Sequence, residues 1–498
     1  MINLKIKSGD WPIIFLLAFF ALTYSAWSVN RHNHFVTDAV DLSIFDQPIW
    51  HFSRGEAPLS SIKYNQFPGA HILGDHFHPI LLTLAPLYWL WNDVRLLLII
   101  QALAVVFAGW PIYKMAKYLI KNEFFSLALV FSFLTFIGIQ AAIDWDFHET
   151  ALAVLPLSFA LYFLVTNNRR GYWLCFLLGL LFKEDMPLYF SAVGLFWLIK
   201  KRDYKLGLTT IFISIIYYLI VTQKLIPYFK GDRFAYEELD PLLGQTTGDL
   251  FKTALTSPWT IIQVILTPAL KIKTILNYLA SYAFLPLVEP FSLLLILPNI
   301  VARFLTQLPQ RWLIRYQYGA ILAPLLAFGT VYAVLNIQSL IGYFSSRLLG
   351  LGKESVIRTF RKIALVVISL ALISAPLVQT FRTGTFLPRV FSAREYQFDE
   401  NDRLNYELLK MIPKDPNVSV MAQSAFVPHL AHRQEIYRYE DTLLAQTQPQ
   451  YILMSLNEHT DPMYTQEQLR ERIENLRTLK QYEVIYWDGI RLLMKKIV

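Results

Sequence analysis

Six of the ten histidines (His32, His34, His51, His71, His76 and His78) crowd into residues 31–78, together with Asp38, Asp41, Asp46, Glu56 and Asp75. A second cluster, Asp144, Asp146, His148 and Glu149, lies between two apolar runs, and a third is the triplet Lys183-Glu184-Asp185. A carboxyl group held near apolar surface, or beside another acid, has its pKa raised and becomes a usable general base. Carboxylates with a histidine, as in Asp146, His148 and Glu149, also form an oxygen-rich set for a divalent cation (Mg, Mn or Zn) that would steady a phosphate leaving group. Arg303, Arg311 and Arg315 supply the complementary charge, with Lys271 and Lys273 nearby. Guanidinium forks grip phosphate bidentately.

Each of these residues also suits plainer work. Asp41 could cap a helix, and the loop histidines could face solvent or cap. Asp146, His148 and Glu149 would favour the start of the apolar run behind them. Lys183, Glu184 and Asp185 could neutralise one another in a turn. Arg311 and Arg315 could anchor lipid headgroups.

What must position these groups follows from composition. The 498 residues are 55% hydrophobic and only 16% charged, against about 25% charged in ordinary soluble domains. A cytosolic enzyme, a disordered chain and a disulfide scaffold are excluded, the last because Cys175 is the only cysteine. Spans of ~20 apolar residues are expected at Trp11–Ser28, Val94–Ala116, Phe124–Ala141, Thr150–Val165, Leu206–Thr222, Tyr318–Ile337 and Ile363–Thr380. Shorter or proline-broken ones are expected at Tyr172–Phe182, Met186–Ile199, Ile275–Val288 and Phe291–Leu305. The total comes to about eleven. Trp11–Ser28 reads as an uncleaved first span. Pro79–Trp91 is too short to cross and reads as an interfacial or re-entrant helix.

The net charge of +8 does not point to nucleic acid, because the cations sit mainly in short loops. Lys5 and Lys7, then Lys114, Lys117 and Lys121, then Arg169 and Arg170, then Lys200, Lys201, Arg202 and Lys205, and finally Arg347, Lys353, Arg358, Arg361 and Lys362 fall on one side. That side is cytoplasmic by the positive-inside rule. The N-terminus would then be cytoplasmic in a multi-pass protein of the plasma membrane. All three acidic clusters would share the outer face with the tail.

The fold expected is an α-helical polytopic membrane domain over residues 1–384, with a first outside loop at 31–78 and the interfacial helix at 79–91. Residues 385–498 read as a small extracytoplasmic α/β domain. Its strands are expected at Val418–Gln423 and Tyr451–Leu456, with a surface helix over Thr465–Lys480 that opens on a Thr465/Gln468 cap. A hairpin is expected to turn at Asp488-Gly489.

The segments Asp41-Leu42-x-x-Phe45-x-Gln47, Asp75-His76-Phe77-His78-Pro79, Asp146-Phe147-His148-Glu149 and Lys183-Glu184-Asp185 resemble, in order and spacing, a family of bacterial and archaeal membrane proteins known as domain of unknown function 2079. Val427-Pro428-His429-Leu430-Ala431-His432-Arg433 with Ile436-Tyr437 is similar to that family's C-terminal signature. The likeness runs from about Asp38 to Leu456. This chain has Ser43 where the family usually has glycine, His78 where serine is common, and Arg315-Tyr316 where a histidine often precedes the tyrosine.

That family is regarded as related to the GT-C glycosyltransferases. The resemblance implies a GT-C-like fold and a cell-envelope transferase using a polyprenyl-phosphate-linked sugar as donor, with inversion at the sugar. The acceptor would be a glycan, lipid or protein, and membrane lipids would surround the donor's tail. Asp41 would take the place of the essential first-loop acid, and Asp146 or Glu149 that of the second-loop acid. Gln47, His76, His148, Lys183, Glu184, Asp185, Arg311, Arg315 and Tyr316 would contact substrate. The rival reading is a transporter or lipid-handling protein without chemistry, whose intramembrane acids move ions. Against it, no paired halves with matching interruptions are visible.

Overall fold

Hydrocarbon offers no water to satisfy backbone N–H and C=O groups, so an apolar run must close its hydrogen bonds internally, and these runs do so as helices. The computed structural model describes residues 8–63, 70–232, 239–244, 246–347, 354–460 and 463–497. Lys5, Lys7 and Lys353, counted above among the loop cations, lie outside the described residues. Five helices are long and apolar enough to cross a membrane: Trp11–Asn33, Arg95–Ile120, Tyr204–Lys230, Leu322–Arg347 and Glu354–Thr383. Two pairs, Glu123–Leu134 with Ile137–Ile143 and Pro258–Leu266 with Ala269–Ala280, would each add a span bent by 46° and 76° respectively.

The described residues thus hold five to seven spans by length and composition, where about eleven were expected. Helix length explains the difference. Glu149–Val165, Met186–Lys201, Arg169–Leu180 and Leu293–Phe304 have 17, 16, 12 and 12 residues. They cover about 18–26 Å, less than the ~30 Å of hydrocarbon. The run expected over Ile275–Val288 stops as a helix at Ala280, where Ala283 and Phe284 take left-handed backbone.

Breaks in apolar helices leave carbonyls that need donors, and polar side chains provide them. At the first bend Gln140 donates to the Thr135 carbonyl at 2.6 Å and to Thr380 Oγ1 at 2.7 Å. At the second, the Lys271 ammonium donates to the carbonyls of Val264 and Phe304 at 2.9 and 2.7 Å. Lys271 is therefore held inside the helical packing. The Pro79–Trp89 segment is a 3-10 run, with Pro79 and Pro86 removing two backbone donors. It buries Leu81, Ala85 and Tyr88 and leaves Trp89 and Leu90 exposed.

Beyond Thr383 the chain turns polar and forms a sheet with two small hydrophobic clusters, one on each side. With β1 (Leu59–Ser60) and β2 (Ala70–His71) forming a short hairpin in the first loop, the tail contributes β3 (Val420–Ala422), β4 (Ile436–Arg438), β5 (Tyr451–Ser455), β6 (Tyr482–Trp487) and β7 (Arg491–Lys496). Their order is β4-β3-β5-β7-β6, parallel among β4, β3 and β5 and antiparallel thereafter. The helix Gln466–Arg477 opens on the expected cap, Thr465 and Gln468 each bonding the other's backbone N–H. The β6–β7 turn takes three residues, with Gly489 at φ +90° and Asp488 Oδ1 accepting from the Ile490 and Arg491 backbone. The first loop is built into the tail: Phe35, Ala39 and Ile62 share one cluster with Phe426, Leu430 and Ile436.

Candidate active site

Asp38 begins the construction. Its Oδ1 accepts from the Val40 N–H at 2.8 Å and starts a π-helical turn, Ala39–Ser43, that carries Asp41. The Asp41 side chain is one quarter exposed, and its Oδ1 lies 3.2 Å from Nε2 of the nearly buried His148. His148 is fixed in turn by Gln101, a buried amide in the Arg95–Phe107 helix. Gln101 accepts from the His148 N–H at 2.7 Å and donates to the carbonyls of Ala142 and Asp146 at 3.0 Å each. One side chain inside an apolar helix thus shapes the whole connection that presents Asp146, His148 and Glu149.

Asp146 is buried against the end of the first span. It accepts from Arg31 Nη1 at 3.0 Å and from the Asp38 N–H at 2.6 Å. Burial pushes its pKa up to about 6; Arg31 opposes this, while the Asp41 charge adds to it. Arg31 also donates to the Trp145 carbonyl at 2.6 Å. Glu149 is fully buried, with Oε1 2.6 Å from Lys183 Nζ and Oε2 without a partner. His76, His78 and His148 all lie within electrostatic reach of it.

The triplet Lys183-Glu184-Asp185 is buried and its members diverge to separate partners. Glu184 takes His76 Nδ1 at 2.7 Å and the Phe77 N–H at 3.1 Å. Burial by itself would lower the His76 pKa, but the Glu184 carboxylate outweighs it and the pKa rises. Asp185 takes Arg303 Nη2 at 3.2 Å, and the Arg303 guanidinium lies 4.2 Å from the Tyr318 ring centre. Arg311 stands 5.9 Å from that same ring. Arg315 stands 5.8 Å from the Trp145 ring, against which Tyr316 packs edge-on at 4.8 Å. A buried charge must find a partner in such surroundings, and Lys183, Glu184, Asp185 and Arg303 each do.

The three acidic clusters therefore meet. Asp41, His148, Glu149, Lys183, Glu184 and His76 follow one another through contacts, with Asp146 and Arg31 beside Asp41 and with Arg311, Arg315 and Tyr316 ringed around Trp145 and Tyr318. Gln47 lies apart. It donates to Ser61 Oγ at 2.8 Å and to the Arg433 carbonyl at 3.1 Å, binding the loop to the tail. Asp46 is likewise turned away from Asp41, held by Tyr88 at 2.6 Å and His432 at 3.1 Å.

The expected cation set does not converge. Asp146 faces Arg31, His148 faces Asp41 and Glu149 faces Lys183, and among the described residues no three His, Cys, Asp or Glu gather to hold an ion.

Three contributors went unread in the sequence. Arg31 and Gln101 carried one signal, a polar residue at the edge of or inside an apolar run. His459, whose Nε2 lies 3.3 Å from Asp38 Oδ2, carried none: it sits in the tail, far along the chain from its partner.

Comparisons with known proteins add the following. Two crystal structures of ArnT from Cupriavidus metallidurans resemble the chain. The form bound to undecaprenyl phosphate aligns at 12% identity and TM-score 0.49 over 99% of both chains. The apo form aligns at 14% identity and TM-score 0.49 over 98% of this chain and 99% of that one. A likeness of that degree fixes neither fold nor activity. No curated protein matches the chain. The match that carries weight is to a family: residues 31–491 fit the predicted membrane protein family DUF2079, and the chain belongs to it.

Proposed function

We propose that this protein transfers a sugar from a polyprenyl-phosphate donor to an acceptor on the extracytoplasmic face, with inversion. The observation that carries the reading is Asp41: a partly exposed carboxylate steadied by a nearly buried histidine, beside a bank of buried charge. Asp41 takes the proton of the acceptor hydroxyl. The acceptor oxygen bonds to the anomeric carbon as that carbon's bond to the phosphate oxygen breaks, and polyprenyl phosphate departs. Lys183, Arg311 and Arg315 offset the charge that gathers on the leaving phosphate, a role for preorganised groups worth several kcal/mol in a dry site. Asp146, His148 and Glu149 orient the donor, and the tail selects the acceptor. The N-terminus is cytoplasmic, following the lysine and arginine distribution.

The test is incubation of the purified protein with radiolabelled polyprenyl-phosphate sugars and an envelope acceptor fraction. Label should move to the acceptor with wild-type protein and not with Asp41→Asn, which should insert and fold normally. Full activity in Asp41→Asn would remove Asp41 from the mechanism. Absence of transfer from every donor tried would remove the reaction.

A further inference from the structure

A cavity of about 320 Å³ opens between the membrane body and the tail. Its walls are the end of the first span at His32, the turn Asn92–Arg95, and from the tail Tyr406, Lys414 and the segment Pro428–Arg433. None of the residues around Asp41 and Glu149 lines it. The volume falls in the range of small-ligand clefts, about 300–1,000 Å³.

Charge in this cavity is unbalanced. Arg95 is spent on Asp93, with Nε donating to Oδ1 at 2.8 Å. Lys414 makes no ion pair among the described residues. Arg433 is 5% exposed, and its guanidinium donates only to carbonyls, those of Pro413, Val418 and Asp415 at 3.0, 3.2 and 3.4 Å. Its Nε is buried with no partner, and the Asp415 carboxylate acts on it only from beyond ion-pair distance. His429 presents a second buried nitrogen without a partner, Nε2, on a ring stacked 4.1 Å from His32. Burial keeps that imidazole neutral, able to serve a hydroxyl group.

We infer that this cavity binds an anionic hexose, its phosphate or carboxylate facing Lys414 and Arg433 and its hydroxyls facing His429 and Tyr406. Surplus cations call for an anion, while a neutral imidazole and the Tyr406 oxygen, whose O–H is given to the Asn33 carbonyl at 3.1 Å, can accept from the hydroxyls of a polyol. Binding here does not depend on the transfer reaction.

The test uses the full-length protein in detergent, titrated calorimetrically with glucose 1-phosphate and with glucuronate. Neutral glucose and inorganic phosphate at matched ionic strength serve as controls. At least one anionic sugar should bind saturably, at least tenfold tighter than either control, and the better of the two identifies the anion. Lys414→Glu, at an exposed position that should leave folding intact, should weaken that binding at least tenfold. Arg433→Lys, keeping the charge but losing the fork, should weaken it too. Failure of both sugars to bind, equal binding by glucose or inorganic phosphate, or undiminished binding in Lys414→Glu would each overturn the assignment.

Discussion

Asp41 and Asp46 lie on consecutive helical turns of the same loop, yet they belong to regions with opposite characters. Around Asp41 the charges are buried but incompletely matched: Glu149 Oε2, His148 Nδ1 and Asp185 Oδ1 have no partner, and Asp41 itself reaches solvent. Around Asp46 the polar groups join two parts of the chain. Tyr88 and His432 hold the acid, Gln47 spans Ser61 and Arg433, and His51 takes the carbonyls of Leu59 and Arg433 at 3.0 and 3.3 Å. Buried polarity can thus serve as reactive capacity or as a joint. Unpartnered atoms occur in both regions, Asp46 Oδ2 among them, so access rather than residue type tells the two apart: Asp41 is one quarter exposed and Asp46 is fully buried.

The comparison breaks most sharply if the two acids exchange roles. Asp41→Asn should lower the transfer rate by about 10²–10⁴-fold, the usual worth of a general base. Asp46→Asn should keep most of the rate and lower thermal stability; transfer assays beside melting curves decide between these. Next in size is Glu149→Gln, which strands the buried Lys183 ammonium and should cost about 3–5 kcal/mol. Adding Lys183→Met should restore much of the stability without restoring transfer, as denaturation in detergent would reveal.

Asp146 gives a pH test of the reactive region. Its carboxyl pKa is raised in the folded protein to about 6, so the folded state holds the proton more tightly than the unfolded chain does. Stability contributed by that proton is present at low pH, fades as pH rises from about 4 to 6, and is gone above, a loss of about 3 kcal/mol. Melting temperatures in detergent should fall over that window for wild type and flatten in Asp146→Asn. At the joint, Gln47→Ala leaves the Ser61 N–H without its acceptor and should cost about 1–3 kcal/mol with little change in transfer. Limited proteolysis between loop and tail would register it. The smallest effect belongs to the remote β6–β7 turn, where Gly489→Ala meets no neighbour but must hold φ at +90°. About 1 kcal/mol of tail stability should be lost, with transfer unchanged.

Much of the tail was legible from local pattern. The reciprocal Thr465/Gln468 cap, the turn at Asp488-Gly489 and the strands at 420–422 and 451–455 all appear near their expected positions, because caps, turns and short apolar runs bounded by polar residues are local signals. Strand β4 was missed: three residues are too few for a period, and only pairing with β3 makes them a strand. In the β6–β7 turn Asp488 Oδ1 accepts from the last turn residue, Ile490, and from Arg491, the first residue of β7.

By itself, the chain's composition determined a helical membrane protein, since apolar runs in hydrocarbon have no alternative to helix. Its scarce charges also marked which stretches had to be kept from lipid. Folding alone decided how long each helix runs before a proline or a left-handed residue stops it, and so how many reach across. It also decided which acid meets which base. Arg31 and Asp146 are 115 residues apart in sequence, and Gln47 and Arg433 are 386 apart. Periodicity speaks only for neighbours along the chain, whereas a buried charge is matched by whatever the packing brings within about 3 Å.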